Sequence, residues 1–251
     1  MASDPAPTSA PTGPSARPEP PPPEHQHLDV QSGSARAAIF GVSDGLVSNV
    51  GLILGVAGAS VDPSVVRVAG LAGLIAGAIS MGAGEYNSMK VQRELMEREL
   101  ALERRELERN PNVETVELTQ TYQSRGMPAV EARSLAEAVM LDPELALATH
   151  AREELGFDPE RLGSPIGAAV SSFVAFSAGA VVPLVPWFFS GGDAAIVASL
   201  VLAAVVAVIV GLATARFTER SKVKTVVRQL AFTMVPAAIT FAIGSAVGVT
   251  T

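Results

Sequence analysis

Apolar residues in this chain gather into long runs and are not scattered at the spacing of an amphipathic surface helix. Runs of roughly 20 residues have the length an α-helix needs to cross a hydrocarbon core of about 30 Å. Five such runs occur, at about Ala37–Ala59, Val65–Tyr86, Ile166–Phe189, Ala194–Ala215 and Thr225–Val249. They predict an all-α integral membrane protein with five transmembrane helices. The link Ser60–Ser64 is too short for anything but a tight turn, which Pro63 favours. Pro183, Pro186 and Pro236 fall inside spans and predict kinks, tolerable where neighbouring helices re-satisfy the freed backbone groups.

The second run does not end at the membrane. From Lys90 to Arg109 it turns polar without a Gly or Pro, in strong helix formers with closely spaced opposite charges. One helix from Val65 to Arg109 is predicted, about 65 Å long, stopping at Asn110-Pro111. Shorter helices follow near Val113–Ser124, Ala129–Met140 and Pro143–Gly156, the last ending on a glycine suited to a C-cap. Residues 87–163 are thus expected to form a helical bundle on a stalk, inserted between spans two and three.

Charge sharpens this division. Between Glu85 and Arg161 there are 17 acidic and 10 basic side chains, so this segment's balance equals the net charge of −7 for the whole chain. Basic residues Arg216, Arg220, Lys222, Lys224 and Arg228 cluster around the link between spans four and five, whereas Ser60–Ser64 and Ser190–Asp193 carry none. The positive-inside rule then puts the N-terminus and residues 87–163 in the cytoplasm and the C-terminus outside. Residues 1–36 hold nine of the 18 prolines and read as a disordered tail, in which His25 and His27 are solvated by default. The chain has no cysteine, which excludes disulfides and thiolate sites. No Gly-rich phosphate loop with its lysine is present, and no nucleophile-and-base constellation. Neither ATP drive, an enzyme, a resident cofactor nor a nucleic-acid partner is expected.

Candidate chemistry lies in two places. In the acidic segment Glu103 and Glu106 are three apart, as are Glu114 and Glu117, while His150 and Glu154 are four apart. Each pair shares a helix face. Carboxylates with an imidazole suit divalent iron, manganese, zinc, cobalt or nickel, although Glu-rich helices are also ordinary solvated faces. A ferritin-type di-iron bundle would need Glu-x-x-His pairs, and Leu147 stands three before His150. Within the membrane, Asp44 sits early in span one, followed by Ser48 and Asn49. An intramembrane carboxylate marks an ion or proton path, or else an interfacial side chain that snorkels. Met81 lies among small residues in span two, as packing filler or soft ligand. Glu85, one turn on, is a pathway carboxylate or a partner for a basic side chain. Glycines repeat at four-residue spacing (Gly41 and Gly45, Gly51 and Gly55, Gly73 and Gly77), which permits close helix approach within a subunit or across a dimer.

Ser43-Asp44-Gly45-Leu46 in span one, Ile79-Ser80-Met81-Gly82 in span two and the acidic inter-span segment together resemble the vacuolar iron transporter family. The resemblance covers roughly residues 36–250. It implies a five-span homodimer with the ion path between subunits and a cytoplasmic metal-binding domain joining spans two and three. It also implies export of ferrous iron, often manganese, from the cytosol in exchange for protons. The family's intramembrane aspartate and methionine fall on Asp44 and Met81, and its domain glutamates on Glu103, Glu106, Glu114 and Glu117. Glu154-Leu155-Gly156 keeps the family's last glutamate, with His150 where that pattern has a methionine. No second carboxylate precedes Asp44 by one or two turns, where Gly33, Arg36 and Ala37 stand. The expected cargo is Fe²⁺, with Mn²⁺ and, from the ligand set, Co²⁺, Ni²⁺ or Zn²⁺. A membrane-tethered sensor or buffer is the alternative. Fifteen arginines against three lysines point to a GC-rich bacterial genome and so to a plasma membrane; a eukaryotic source would mean a vacuole.

Overall fold

The computed structural model describes residues 34–60 and 62–248, with side chains from Ala38 onward. The Pro-rich segment before Ser34, with His25 and His27, and Val249 at the end of the predicted fifth span lie outside the described residues, as do the side chains of Arg36 and Ala37. All secondary structure described is helical: α1 (Ser34–Ala59), α2 (Pro63–Arg109), α3 (Pro111–Ser124), α4 (Ala129–Val139), α5 (Pro143–His150), α6 (Pro165–Val181), α7 (Gly192–Phe217) and α8 (Lys222–Gly248). Five are long and apolar enough to span a membrane: α1, α2, α6 with its continuation to Phe188, α7 and α8. The expectation of an all-α protein with five spanning helices therefore holds.

Helix α1 is central, packed against α2, α6, α7 and α8. Its Leu46, Val50 and Leu54 are buried with Ala203, Ala207 and Ala237, while Ile53 and Ala57 are buried with Val66, Leu184, Trp187 and Ala195. The repeated glycines serve contacts within the chain. Gly41 and Gly45 lie against α6, Gly51 and Gly55 against Thr240 of α8, and Gly77 under the Phe176 ring. The α1–α6 crossing is close to hard limits, as is the α1–α8 crossing, where a methyl at Gly244 would run into the Gly55 carbonyl oxygen. A methyl at Gly45 would run into the Phe176 carbonyl oxygen, and one at Gly179 into that of Val42. Backbone cannot yield as a side-chain end can, so Gly179→Ala is expected to destabilise the protein by about 3 kcal/mol or more. A thermal melt of the detergent-solubilised protein checks this, and an unchanged midpoint would contradict it.

Where kinks were predicted, the chain responds in two ways. The third span is α-helical only to Val181 and then winds as a 3₁₀ helix over Val182–Phe188. In such a helix the Pro183 carbonyl would accept from residue 186, which is proline and has no N–H. The Ser199 hydroxyl of α7 donates to it instead, at 2.7 Å, and accepts from the buried Trp187 Nε1 at 3.1 Å. Helix α8, by contrast, runs through Pro236 without leaving α geometry. The tight turn before α2 is an N-cap: Asp62 Oδ1 accepts from Ser64 N at 2.8 Å, with Pro63 at the first helical position.

Helix α2 has 47 residues, about 70 Å of helix. Its polar half carries exposed i, i+4 pairs, Lys90–Glu94 at 3.3 Å and Arg93–Glu97 at 2.7 Å. Beyond Asn110 the chain doubles back, and Leu118, Ala136, Val139 and Ala146 form a small core with Leu107, Tyr122 and Met140. Asp142 caps α5, accepting from Glu144 N and Leu145 N. The segment predicted as one α-helix to Gly156 changes character after His150. Residues Ala151–Leu155 form a π turn, closed by Gly156 at φ 74°. That left-handed position favours glycine, as the predicted C-cap required.

Candidate functional site

Four elements converge on His150. Glu103 comes from the polar half of α2, Glu114 from the first turn of α3, His150 from the last residue of α5, and Glu154 from the π turn. The chain reversal at Asn110-Pro111 brings Glu114 back towards Glu103. His150 Nδ1 lies 3.2 Å from Glu103 Oε1, 3.0 Å from Glu154 Oε1 and 3.8 Å from Glu114 Oε2. His150 is fully buried, Glu103 and Glu114 nearly so, and Glu154 partly exposed. Yet neither ring nitrogen of His150, nor Glu103 Oε1, makes a hydrogen bond. Leaving such a group buried and unsatisfied costs about 1–3 kcal/mol.

These donors suit a metal ion. Ligand atoms about 2.1 Å from a divalent ion sit about 3.0–3.4 Å from one another, close to the spacing at His150. One ligand atom each from Glu103, His150 and Glu154 falls within a 4.8 Å group. Glu106 and Glu117 are exposed beside this group, one turn from Glu103 and Glu114 respectively. Their charges still reach inward. The Glu103 carboxyl is pushed up to about 7, first by burial and then by Glu154, Glu114, Glu106 and Glu117. The Glu114 carboxyl is also raised, by burial and then by Glu117, Glu154 and Glu106. A cation among them would relieve both the burial and the repulsion.

The second group lies between α1, α2 and α6. Asp44, Met81 and Glu85 line one cavity of about 440 Å³, with Phe40, Ser48, Asn49, Leu52, Ser80 and Phe176 among its walls. Gly73, Gly77 and Gly84 line it from α2. Because α1 and α2 run antiparallel, Glu85, Met81 and Asp44 descend the cavity from the end of α2 that carries the stalk. Ser48 extends the line from Asp44, donating to its backbone carbonyl at 2.6 Å. No described basic side chain pairs with Asp44 or Glu85. Ser48 and Asn49 were visible in the sequence as polar residues in an apolar run, but their place in the wall depends on how α2 and α6 pack.

The sequence model of the VIT family matches residues 35–245, the whole region that holds both groups. The chain belongs to the VIT family. Among its relatives, vacuolar iron transporter 1 of Eucalyptus grandis is 30% identical over 226 residues, covering 89% of this chain and 91% of the relative. Vacuolar iron transporter 1 of Arabidopsis thaliana is 32% identical over 184 residues, 73% of this chain and 74% of the relative. The vacuolar iron transporter of Acanthamoeba castellanii is 37% identical over 161 residues, 64% and 58% of the two chains. VIT-family proteins are transporters, not enzymes, and this chain is accordingly a multi-pass membrane protein of a transporter family.

Proposed function

We propose that this VIT-family chain moves ferrous iron, and also manganese, out of the cytosol in exchange for protons. One observation carries the reading: a carboxylate and a thioether from separate spanning helices, Asp44 and Met81, face the same intramembrane cavity with Glu85. A hard oxygen beside a soft sulfur tolerates Fe²⁺ and Mn²⁺ and disfavours Mg²⁺ and Ca²⁺, which take oxygen ligands. Residues 87–163 act as a cytoplasmic metal-binding domain. Glu103, Glu114, His150 and Glu154 hold the ion there, and Glu106 and Glu117 draw it in. The same donors accept Co²⁺, Ni²⁺ or Zn²⁺. Proton exchange follows from the carboxyls, which must lose protons to bind metal.

The basic cluster around the α7–α8 link supports a cytoplasmic stalk, and the Arg-rich composition supports a bacterial plasma membrane. Two copies form the working unit. Ala72, Ala76, Ser80 and Gly84 make an exposed four-residue-spaced row of small side chains on α2, bordering the cavity. Such rows let helices approach closely.

In proteoliposomes, Fe²⁺ and Mn²⁺ uptake is expected and should rise several-fold with an imposed pH gradient. Saturable metal binding by well-folded protein that moves no metal would favour the tethered sensor or buffer, the reading that the self-contained cluster at His150 keeps in play.

A further inference from the structure

We propose that the side-chain oxygen of Asn49 is a ligand for the transported cation at the deep end of the cavity, one step beyond Asp44. The inference rests on the transport reading and extends it. Asn49 is 2% exposed. Its Nδ2 donates to the Ala180 carbonyl of α6 at 2.6 Å. A carbonyl only accepts, so this bond fixes which way round the amide lies. The oxygen is thereby turned away from α6, and it has no hydrogen-bond partner among the described residues. The Ala180 carbonyl suits this use, since the residue three on, Pro183, has no N–H to offer it.

The cavity wall explains where the oxygen points. Asn49 lines the cavity, and across from it stands Gly73 of α2. A Cβ at Gly73 would lie 2.8 Å from Asn49 Oδ1, so the missing side chain leaves room beside this oxygen, itself buried, at the cavity wall. Along α1, Asn49 is five residues past Asp44, about 7.5 Å deeper from the stalk end. The wall therefore descends from the Glu85 carboxylate through the Met81 thioether and the Asp44 carboxylate to a neutral amide oxygen. A transport path needs sites strong enough to admit an ion and weak enough to release it. A carboxamide oxygen is a competent ligand for hard divalent ions and carries no charge to trap them. It is a stepping-off ligand after Asp44.

The obvious rival role is a tether of α1 to α6 through Nδ2. Three variants separate the two, each assayed as Fe²⁺ uptake by protein that elutes as a single species. Asn49→Leu removes the oxygen, while Gly73→Ala leaves the Asn49 amide in the chain and crowds its oxygen and the Leu52 side chain with a methyl. Both are expected to raise KM for Fe²⁺ about tenfold, the order expected for one ligand to a charged centre. Asn49→Asp makes the station anionic, and is expected to lower KM and kcat together by holding the ion longer. Wild-type KM in Asn49→Leu and Gly73→Ala, with only the melting point of Asn49→Leu lowered, would leave a tether and overturn the proposal. Wild-type protein that moves no Fe²⁺ would overturn the transport reading itself, which the three variants do not address.

Discussion

Replacing Asp44 by alanine is expected to cut Fe²⁺ flux by roughly two orders of magnitude, the largest loss from any single change in the membrane. An ionised side chain deep in a span costs about 2.5–3.5 kcal/mol, so it persists where a function or a partner needs it. No described basic residue is paired with Asp44, and its carboxyl looks into a cavity shared with Met81 and Glu85. A dehydrating divalent ion meeting a carboxylate in such a low-dielectric site gains far more than in water. Losing that attraction by about 3 kcal/mol corresponds to the stated factor. Asp44→Asn provides the control. It keeps size and hydrogen-bonding capacity while removing the charge, and should transport as poorly as alanine with the melting point held or raised. Met81→Leu, which keeps volume and removes the sulfur, should lose about tenfold, since a thioether is the weaker ligand. Uptake by Asp44→Asn at the wild-type rate would falsify the ligand role.

How far the sequence disclosed these features follows from the range of the forces involved. Spanning helices are set by local content, because no water is available to the backbone inside a bilayer. Hence α2 could be traced from Val65 to Arg109 as one element, and Gly156 recognised as its neighbour bundle's stop signal. Asp44 stood out because a charge in an apolar run is anomalous wherever it packs. Direction was harder to read. Residues three apart on a helix differ by about 60° in direction, which is enough to bury Glu103 and Glu114 while leaving Glu106 and Glu117 exposed. Only the reversal at Pro111 and the approach of α5 decide which of each pair turns inward. The π turn after His150 left no sequence signal beyond its closing glycine. Asn49 was least legible of all, since its meaning depends on Ala180, 131 residues away, and on an absent side chain at Gly73.

The second large effect is expected at His150. His150→Ala should weaken binding of Mn²⁺ or Co²⁺ to the full-length protein about 100-fold, measured by equilibrium titration in detergent or nanodiscs. The magnitude follows from sharing a metal-site free energy of about 10–16 kcal/mol among four ligands, discounted for water filling the vacated position. Glu103→Gln should cost a similar factor, because Glu103 Oε1 is buried without a hydrogen bond and lies 3.2 Å from Nδ1. Glu106→Gln and Glu117→Gln, at exposed positions, should change affinity less than about threefold, the scale of a screened surface charge. Acidity discriminates further. With the Glu103 carboxyl raised from 4.5 to about 7, the folded metal-free protein binds more protons than the unfolded chain across that interval. Its stability from this group is therefore present below pH 4.5 and lost as pH rises through 7. Metal binding reverses the trend, because the ion takes the proton's place. Metal-induced stabilisation should thus be small near pH 5.5 and largest above pH 7, and Glu103→Gln should flatten the profile. A profile unchanged in Glu103→Gln, or wild-type affinity in His150→Ala, would show that the ion is held elsewhere. The four side chains would then form a buried acidic knot and not a receptor for cargo.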